Sequence, residues 1–189
     1  MQINAININF GKKLSATCNI KDKERIKHSA SIYEYNPRSF EDMKEIHSAD
    51  ISNSIKQSFF KEGYFRRYVP ESKYYAMKDD ETGEIIACIK TSTHYSLKGK
   101  YKGYYTSIDE FEADDNYINI QTPMMAFISD KAQKTLSKNI ITAQRDYEIP
   151  NLGETKFKKT KEGFWVLRSK GFNECILRAE KRNNLEIIA

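Results

Sequence analysis

Cysteine is scarce in this chain. Cys18, Cys88 and Cys175 are odd in number and far apart, form no Cys-x-x-Cys, and none adjoins His28, His47 or His94. That argues against a disulfide framework and against a metal site, and leaves three reduced, structural thiols. Long apolar runs are missing as well. The longest span a few residues, and the N-terminus has no basic region followed by an apolar core, so neither a membrane span nor a secretory signal is expected and the cytoplasm is the default address. No linker divides the 189 residues, and 39% apolar content suffices for one sizeable core. The net charge of +5 is modest for this length. It allows an anionic ligand or an acidic partner without demanding nucleic acid.

What is present centres on residues 117–144. Tyr117-Ile118-Asn119-Ile120-Gln121 alternates apolar and polar side chains, as a half-buried strand does, and Thr122-Pro123 stops it. Proline suits the first turn of a helix, and the threonine before it can cap that turn. Met125, Ile128, Ala132 and Leu136 then mark one helical face, and Asn139 precedes the short apolar run Ile140-Ile141-Thr142-Ala143. The pattern predicts a strand-helix-strand crossover whose two strands are parallel neighbours. Its mouth is where open α/β sheets tend to place ligands.

In chain order, residues 1–27 read as an N-terminal extension, loosely packed or disordered, before a single domain over 28–189. Residues 29–35 alternate like a strand, and Ser39 with Asp42 resembles a capping box for a helix with Phe40, Met43 and Ile46 inward. Asp50 can cap a second helix carrying Ile51, Ile55 and Phe59, ended by Gly63. Residues 73–78 and 84–90, joined through Gly83, make the clearest hairpin. Residues 91–116 have a tyrosine-rich basic half and an acidic half with Asp109, Glu110, Glu112, Asp114 and Asp115. They read either as a lid over a cleft that draws a cationic amine, or as an extension of the hairpin strands with a solvated turn. Phe157, Thr160, Phe164 and Leu167 suggest a late helix stopped at Gly171, with closing strands at 175–177 and 185–188.

This order resembles the GNAT superfamily of N-acetyltransferases. "SIYEYNPRSFEDMKEIHSAD" is similar to that family's opening strand and first helix, "YYAMKDDETGEIIACIK" to its second and third strands, and "FWVLRSKGFNE" to its late helix and Gly-Phe turn. The resemblance implies an α/β fold: a mixed central sheet with a splayed parallel strand pair and flanking helices. It also implies an N-acyltransferase that uses acetyl-CoA or another acyl-CoA and no metal. In the family the pyrophosphate sits on amides where the fourth strand turns into its helix, which here implies a donor site among Gln121, Ala126, Phe127, Ser129 and Lys131. The family's Gln or Arg followed by spaced glycines is missing there, and Asp130 adds a negative charge. The family's tyrosine acid aligns with Leu167, leaving Tyr147 as its nearest substitute. Glu112 and His94 are the further catalytic candidates.

The basic start of the late segment, Lys156, Lys158, Lys159 and Lys161, raises a donor carried on an acidic acyl-carrier protein. Two other readings stay open. An inactive GNAT-like interaction module is suggested by the missing glycine-rich turn and tyrosine. A small nucleic-acid-binding protein is suggested by the rings and cations interleaved over residues 64–68 and 95–105.

Overall fold

A computed structural model describes residues 12–64, 72–99, 102–142, 149 and 152–188, with residues 62–64 and 154 described by their backbone alone. Strands β1 (Lys13–Asp22) and β2 (Lys27–Tyr35) lead into helices α1 (Phe40–Ser48) and α2 (Asn53–Tyr64). Then come β3 (Ser72–Asp79), β4 (Ile85–Ser96), β5 (Gly103–Ala113), the two-residue β6 (Tyr117–Ile118), α3 (Gln121–Lys134) and β7 (Asn139–Thr142). Strands β8 (Lys158–Lys159) and β9 (Trp165–Arg168), helix α4 (Phe172–Asn183) and β10 (Glu186–Ile187) close the chain.

All but β6 lie in one path, in the order β10-β1-β2-β3-β4-β5-β7-β9-β8, and β6 pairs with β1 at its end. Every pairing is antiparallel except β5 with β7. This is the mixed α/β sheet with a parallel pair and flanking helices that the resemblance implies.

The sheet is buried on both faces. Ala30, Ile32, Tyr75, Met77 and Ile89 point to the side that also buries α3 and α4, while Tyr35, Tyr74, Ala76 and Cys88 face Ile46, Ile55 and Phe59 of α1 and α2. A strand covered on both sides needs apolar residues at every position, which is why residues 85–89 read as an unbroken Ile-Ile-Ala-Cys-Ile run. The β3–β4 turn holds Gly83 at φ +72°, a conformation glycine adopts without a Cβ clash.

Several sequence expectations are corrected. The parallel partner of β7 is β5, through Thr106, Ser107 and Ile108 opposite Ile140, Ile141 and Thr142, and not residues 117–121. Of those five residues only Tyr117 and Ile118 are strand, paired antiparallel to Asp22 and Lys21, and the helix begins at Gln121, before the proline. Of the two readings of residues 91–116, the lid fails and the extension of the hairpin strands holds. The described residues are mostly the two arms of the long β4–β5 hairpin, with a bulge where Lys90 pairs with Glu110 and Thr91 with Ile108, so that Asp109 is extra. The bulge turns the inward spacing from two residues, Thr106 to Ile108, into three, Ile108 to Phe111.

Residues 13–22, expected in a loose extension, are β1, a sheet strand between β2 and β10. The expected late helix is the β8–β9 hairpin, whose turn holds Gly163 at φ +89°. Gly171 does not stop a helix; it precedes α4, which occupies the place expected for a strand at 175–177. Phe40, expected inward, is 77% exposed in the first turn of α1.

Beyond the sheet, a polar network pins β6 to the β3–β4 turn. The Asp79 side chain is fully buried, accepts the Glu81 and Thr82 amides at 2.8 and 3.2 Å and the Tyr117 hydroxyl at 2.9 Å, and lies 3.0 Å from His28 Nδ1. The other His28 nitrogen lies 3.3 Å from Asp22. No described helix is long and apolar enough to cross a membrane.

Candidate active site

Where β5 ends, a cleft of about 860 Å³ opens between the α1–α2 turn, the start of β4 and the turn after β5. Glu45, Asp50, Glu84, Glu112, Asp114 and Asp115 line it, and no lysine or arginine does among the described residues. The Glu45 charge is offset by the Lys12 and Lys78 ammonium groups, and the other five carboxylates around the concavity focus a negative field, which attracts cations and repels phosphates.

Two of the acids on β5 are fastened to α2. Both oxygens of Glu112 accept the Ser52 amide, at 2.9 and 2.8 Å, while Glu110 accepts the hydroxyls of Ser54 at 2.9 Å and Ser58 at 2.7 Å. An acceptor carboxylate at the first free amides of a helix supplies the partner those amides lack, and its charge suits that end of the helix dipole. At the far rim Glu45 accepts from the Lys12 ammonium at 2.8 Å and pairs with Lys78. Burial alone would raise the Glu45 carboxyl, but the two ammonium groups together hold it below the usual glutamate range. On α1, the Ser39 hydroxyl accepts the Asp42 amide at 3.2 Å, and the buried Asp42 carboxylate accepts the amides of Lys12 and Asn36 at 3.0 and 2.8 Å. Sequence reasoning placed Glu110, Glu112, Asp114 and Asp115 near an acceptor, and of these Glu110 does not line the cleft; it missed Glu45 and Glu84, which carry no local signal, and read Asp50 only as a helix cap.

His94 and Glu112 are not brought together. Glu112 pairs with Cys88, six residues before His94 on the same strand, which is about 20 Å of extended chain. His94 belongs to a separate chain of contacts at the bulge. Its Nε2 is 2.9 Å from Ser107 Oγ, which donates to Asp109 Oδ1 at 2.6 Å, and Asp109 Oδ2 accepts from Ser92. Serine, not histidine, stands in the middle, so the imidazole is not oriented by the carboxylate as a base for the hydroxyl would be. The ring also stacks on Tyr105, with centroids 5.1 Å apart. Cys88 is buried beside Glu112, and burial pushes its thiol up, which leaves it a packing group. Tyr147 lies outside the described residues.

The start of α3 is closed. Thr122 gives its amide to Asn119 O at 3.1 Å, Met124 to Ile120 O at 3.3 Å, and Pro123 has none to give. Residues 121–129 are buried on every side of the helix. Ala126 and Phe127 sit in the core, Phe127 edge-on to Tyr75 at 4.9 Å, and Ser129 turns its hydroxyl back onto Met125 O at 2.7 Å. Of the five residues that the resemblance implies for a donor, only Lys131 reaches beyond the core. Its ammonium lies 5.1 Å from the centre of the Phe127 ring, and burial lowers its pKa. A pyrophosphate needs open amides at a helix start, and the described residues at this helix start do not fit one.

No protein-family model matches the chain, and no curated protein is similar to it in sequence. Solved structures similar to it in fold include two N-acetyltransferases. The Campylobacter jejuni N-acetyltransferase PseH is 15% identical, with 72% of this chain and 97% of that one covered at a TM-score of 0.47. The Bacillus subtilis N-acetyltransferase YlbP, in complex with coenzyme A, is 11% identical over 68% of this chain and 90% of that one at 0.47. The AtaT toxin, bound to the C-terminus of its antitoxin AtaR and acetyl-CoA, is 7% identical over 55% and 71% at 0.43.

Proposed function

We propose that the chain is an N-acyltransferase whose acceptor is a cationic amine, a polyamine or a lysine side chain, held in the acidic cleft at the end of β5. The observation that carries this reading is the set of six carboxylates lining one cleft with no lysine or arginine among its described lining residues. The donor is an acyl thioester, carried on coenzyme A or on an acidic carrier protein, and it supplies the activated carbonyl. An ammonium must lose a proton before its nitrogen can attack, and a carboxylate-lined cleft both concentrates the cation and offers bases for that proton. Glu112, fixed by the Ser52 amide, is the acceptor-side group with the firmest position. Tyr147 is assigned to protonate the departing thiolate; His94, some 20 Å along β4, takes no part.

Incubation with acetyl-CoA or acetyl-pantetheine and spermidine, read by mass spectrometry, tests this. Acetylated spermidine is expected, with KM for the amine raised about tenfold in Asp114→Asn/Asp115→Asn and turnover reduced in Tyr147→Phe. No product from either thioester with any polyamine or lysine peptide sinks it. The closed start of α3 favours a second reading, an inactive GNAT-like module. That module binds the amine without turning it over.

A further inference from the structure

A second charged surface lies on the opposite flank of the parallel pair. The β8–β9 hairpin and the approach to α4 form a groove of about 730 Å³ lined, among the described residues, by Lys156, Lys158, Lys159, Lys161, Arg168 and Lys170 against Glu162 and Glu174. The outer face of α4 continues it past Glu174 with Arg178, Lys181 and Arg182 around an exposed Leu177. A band of this sign with an apolar residue in it fits an acidic protein surface, where opposite charge steers the encounter and one apolar contact fixes it.

The sheet register says where such a partner would stand. Ile108, Thr142, Trp165 and Lys159 are successive partners across β5, β7, β9 and β8. Lys159 is therefore three strand spacings, about 14 Å, from Ile108. Ile108 and Thr142 are the last pair of the parallel ladder, and β5 runs on past the bulge to Ala113 at the acidic cleft. A body seated on the hairpin thus sits beside the point where the ladder ends, within reach of a flexible arm directed toward the cleft.

We infer that this basic groove docks an acidic carrier protein that delivers the acyl group as a thioester on a flexible arm. The inference rests on the acyl-transfer reading above and names its donor. Two observations favour a donor other than free coenzyme A: at the start of α3 the Thr122 and Met124 amides are given to carbonyls and Pro123 has none, and the carboxylates of the cleft repel a pyrophosphate. A carrier keeps its acidic surface on the groove and presents an arm that carries one phosphodiester charge at its root and ends in uncharged pantetheine and thioester. In the transfer the amine nitrogen bonds to the acyl carbon as the carbon–sulfur bond breaks. The ammonium proton goes to solvent by way of the cleft, and the carrier thiolate takes up a proton to leave as the thiol.

The test uses the full chain, a bacterial acyl carrier protein loaded with an acetyl group, acetyl-pantetheine as the uncharged small thioester, and a single-stranded RNA oligonucleotide. The wild-type chain binds the carrier at low salt, measured by fluorescence anisotropy, and binding weakens as salt rises. In Lys158→Glu/Lys161→Glu/Lys170→Glu, three exposed positions, carrier affinity and carrier-dependent transfer fall at least tenfold while the melting temperature and transfer from acetyl-pantetheine hold. Carrier binding without transfer from any thioester supports docking and overturns the acyl-transfer reading alone. Transfer from acetyl-pantetheine with no carrier binding, or with binding indifferent to the triple reversal, overturns the docking. RNA bound tightly by the wild type and lost in the triple variant, with the carrier ignored, overturns it in favour of a nucleic-acid surface.

Discussion

The acidic cleft and the basic groove carry opposite charge in opposite ways. In the cleft, Glu112 accepts from Ser52 just before α2 and Glu45 is clasped by Lys12 and Lys78, while beside it Glu110 accepts from Ser54 and Ser58. Each of these holds one geometry because the fold needs its hydrogen bonds. In the groove, Lys158, Lys161, Arg168 and Lys170 are exposed, Lys156 pairs with Glu174 at the rim, and Lys159 lies over the Trp165 ring at 5.7 Å. Long ammonium side chains in water supply a field with little geometry. A fixed array suits recognition of one small cation, and a loose field suits steering of a large partner.

Between the two lies the start of α3, which belongs to neither, and the largest expected effect comes from testing that. Phe127 is fully buried against Tyr75. Phe127→Ala should cost about 3–5 kcal/mol in denaturant unfolding, the range for emptying a packed aromatic site. A loss under about 1 kcal/mol accompanied by failure to bind thioester would show that this helix start is a ligand cradle and not core.

Next comes the cleft's fastening. Glu112→Ala leaves the Ser52 amide without its acceptor at the head of α2, and loss of such a cap costs about 1–2 kcal/mol. For a chain of this size that is a fall of roughly 2–8 °C in melting temperature. Alanine at Lys158 or Lys161, both exposed, should stay within about 0.5 kcal/mol. Equal effects at the two surfaces would erase the distinction between a built array and a solvated field.

How far the sequence displayed this arrangement depended on period and partner. The β3–β4 hairpin was plain because two apolar runs flank a turn with Gly83, and α1 was plain because Ser39 does cap it, at 3.2 Å from the Asp42 amide. Strand β5 was legible only as one of two readings, because the single extra residue Asp109 shifts the phase of alternation and the acids over 109–115 fit a loop as well. In the 157–167 stretch, apolar spacing suggested a helix, yet Gly163 at positive φ and the paired Trp165 and Val166 make it a hairpin. At the site, the acids on and just after β5 were legible as a cluster. Glu45, Asp50 and Glu84 were not, since the cleft exists only once the α1–α2 turn and the β3–β4 turn meet, and no local pattern encodes that meeting. The missing glycines after Gln121 were legible, and the closed helix start is their structural counterpart.

The smallest effect sharpens the contrast through acid titration. Burial alone would raise the Glu45 carboxyl, but Lys12 and Lys78 together outweigh it and keep the folded pKa below the ordinary value near 4.5. A carboxylate with a depressed folded pKa stabilises the native state above its unfolded pKa, and that contribution is lost as the pH falls through the folded value. The wild-type chain should therefore lose stability on acidification below about pH 4.5, beginning before Glu45 itself protonates in the folded state. Glu45→Gln cannot titrate, and its melting temperature should start lower at neutral pH and fall less steeply over the same acid window. Charge screening by salt should narrow the gap between the two proteins at neutral pH, because the pair is only partly shielded from solvent. If the two acid profiles were parallel, Glu45 would not be held by its two lysines in solution, and the cleft's rim would be as loosely ordered as the groove.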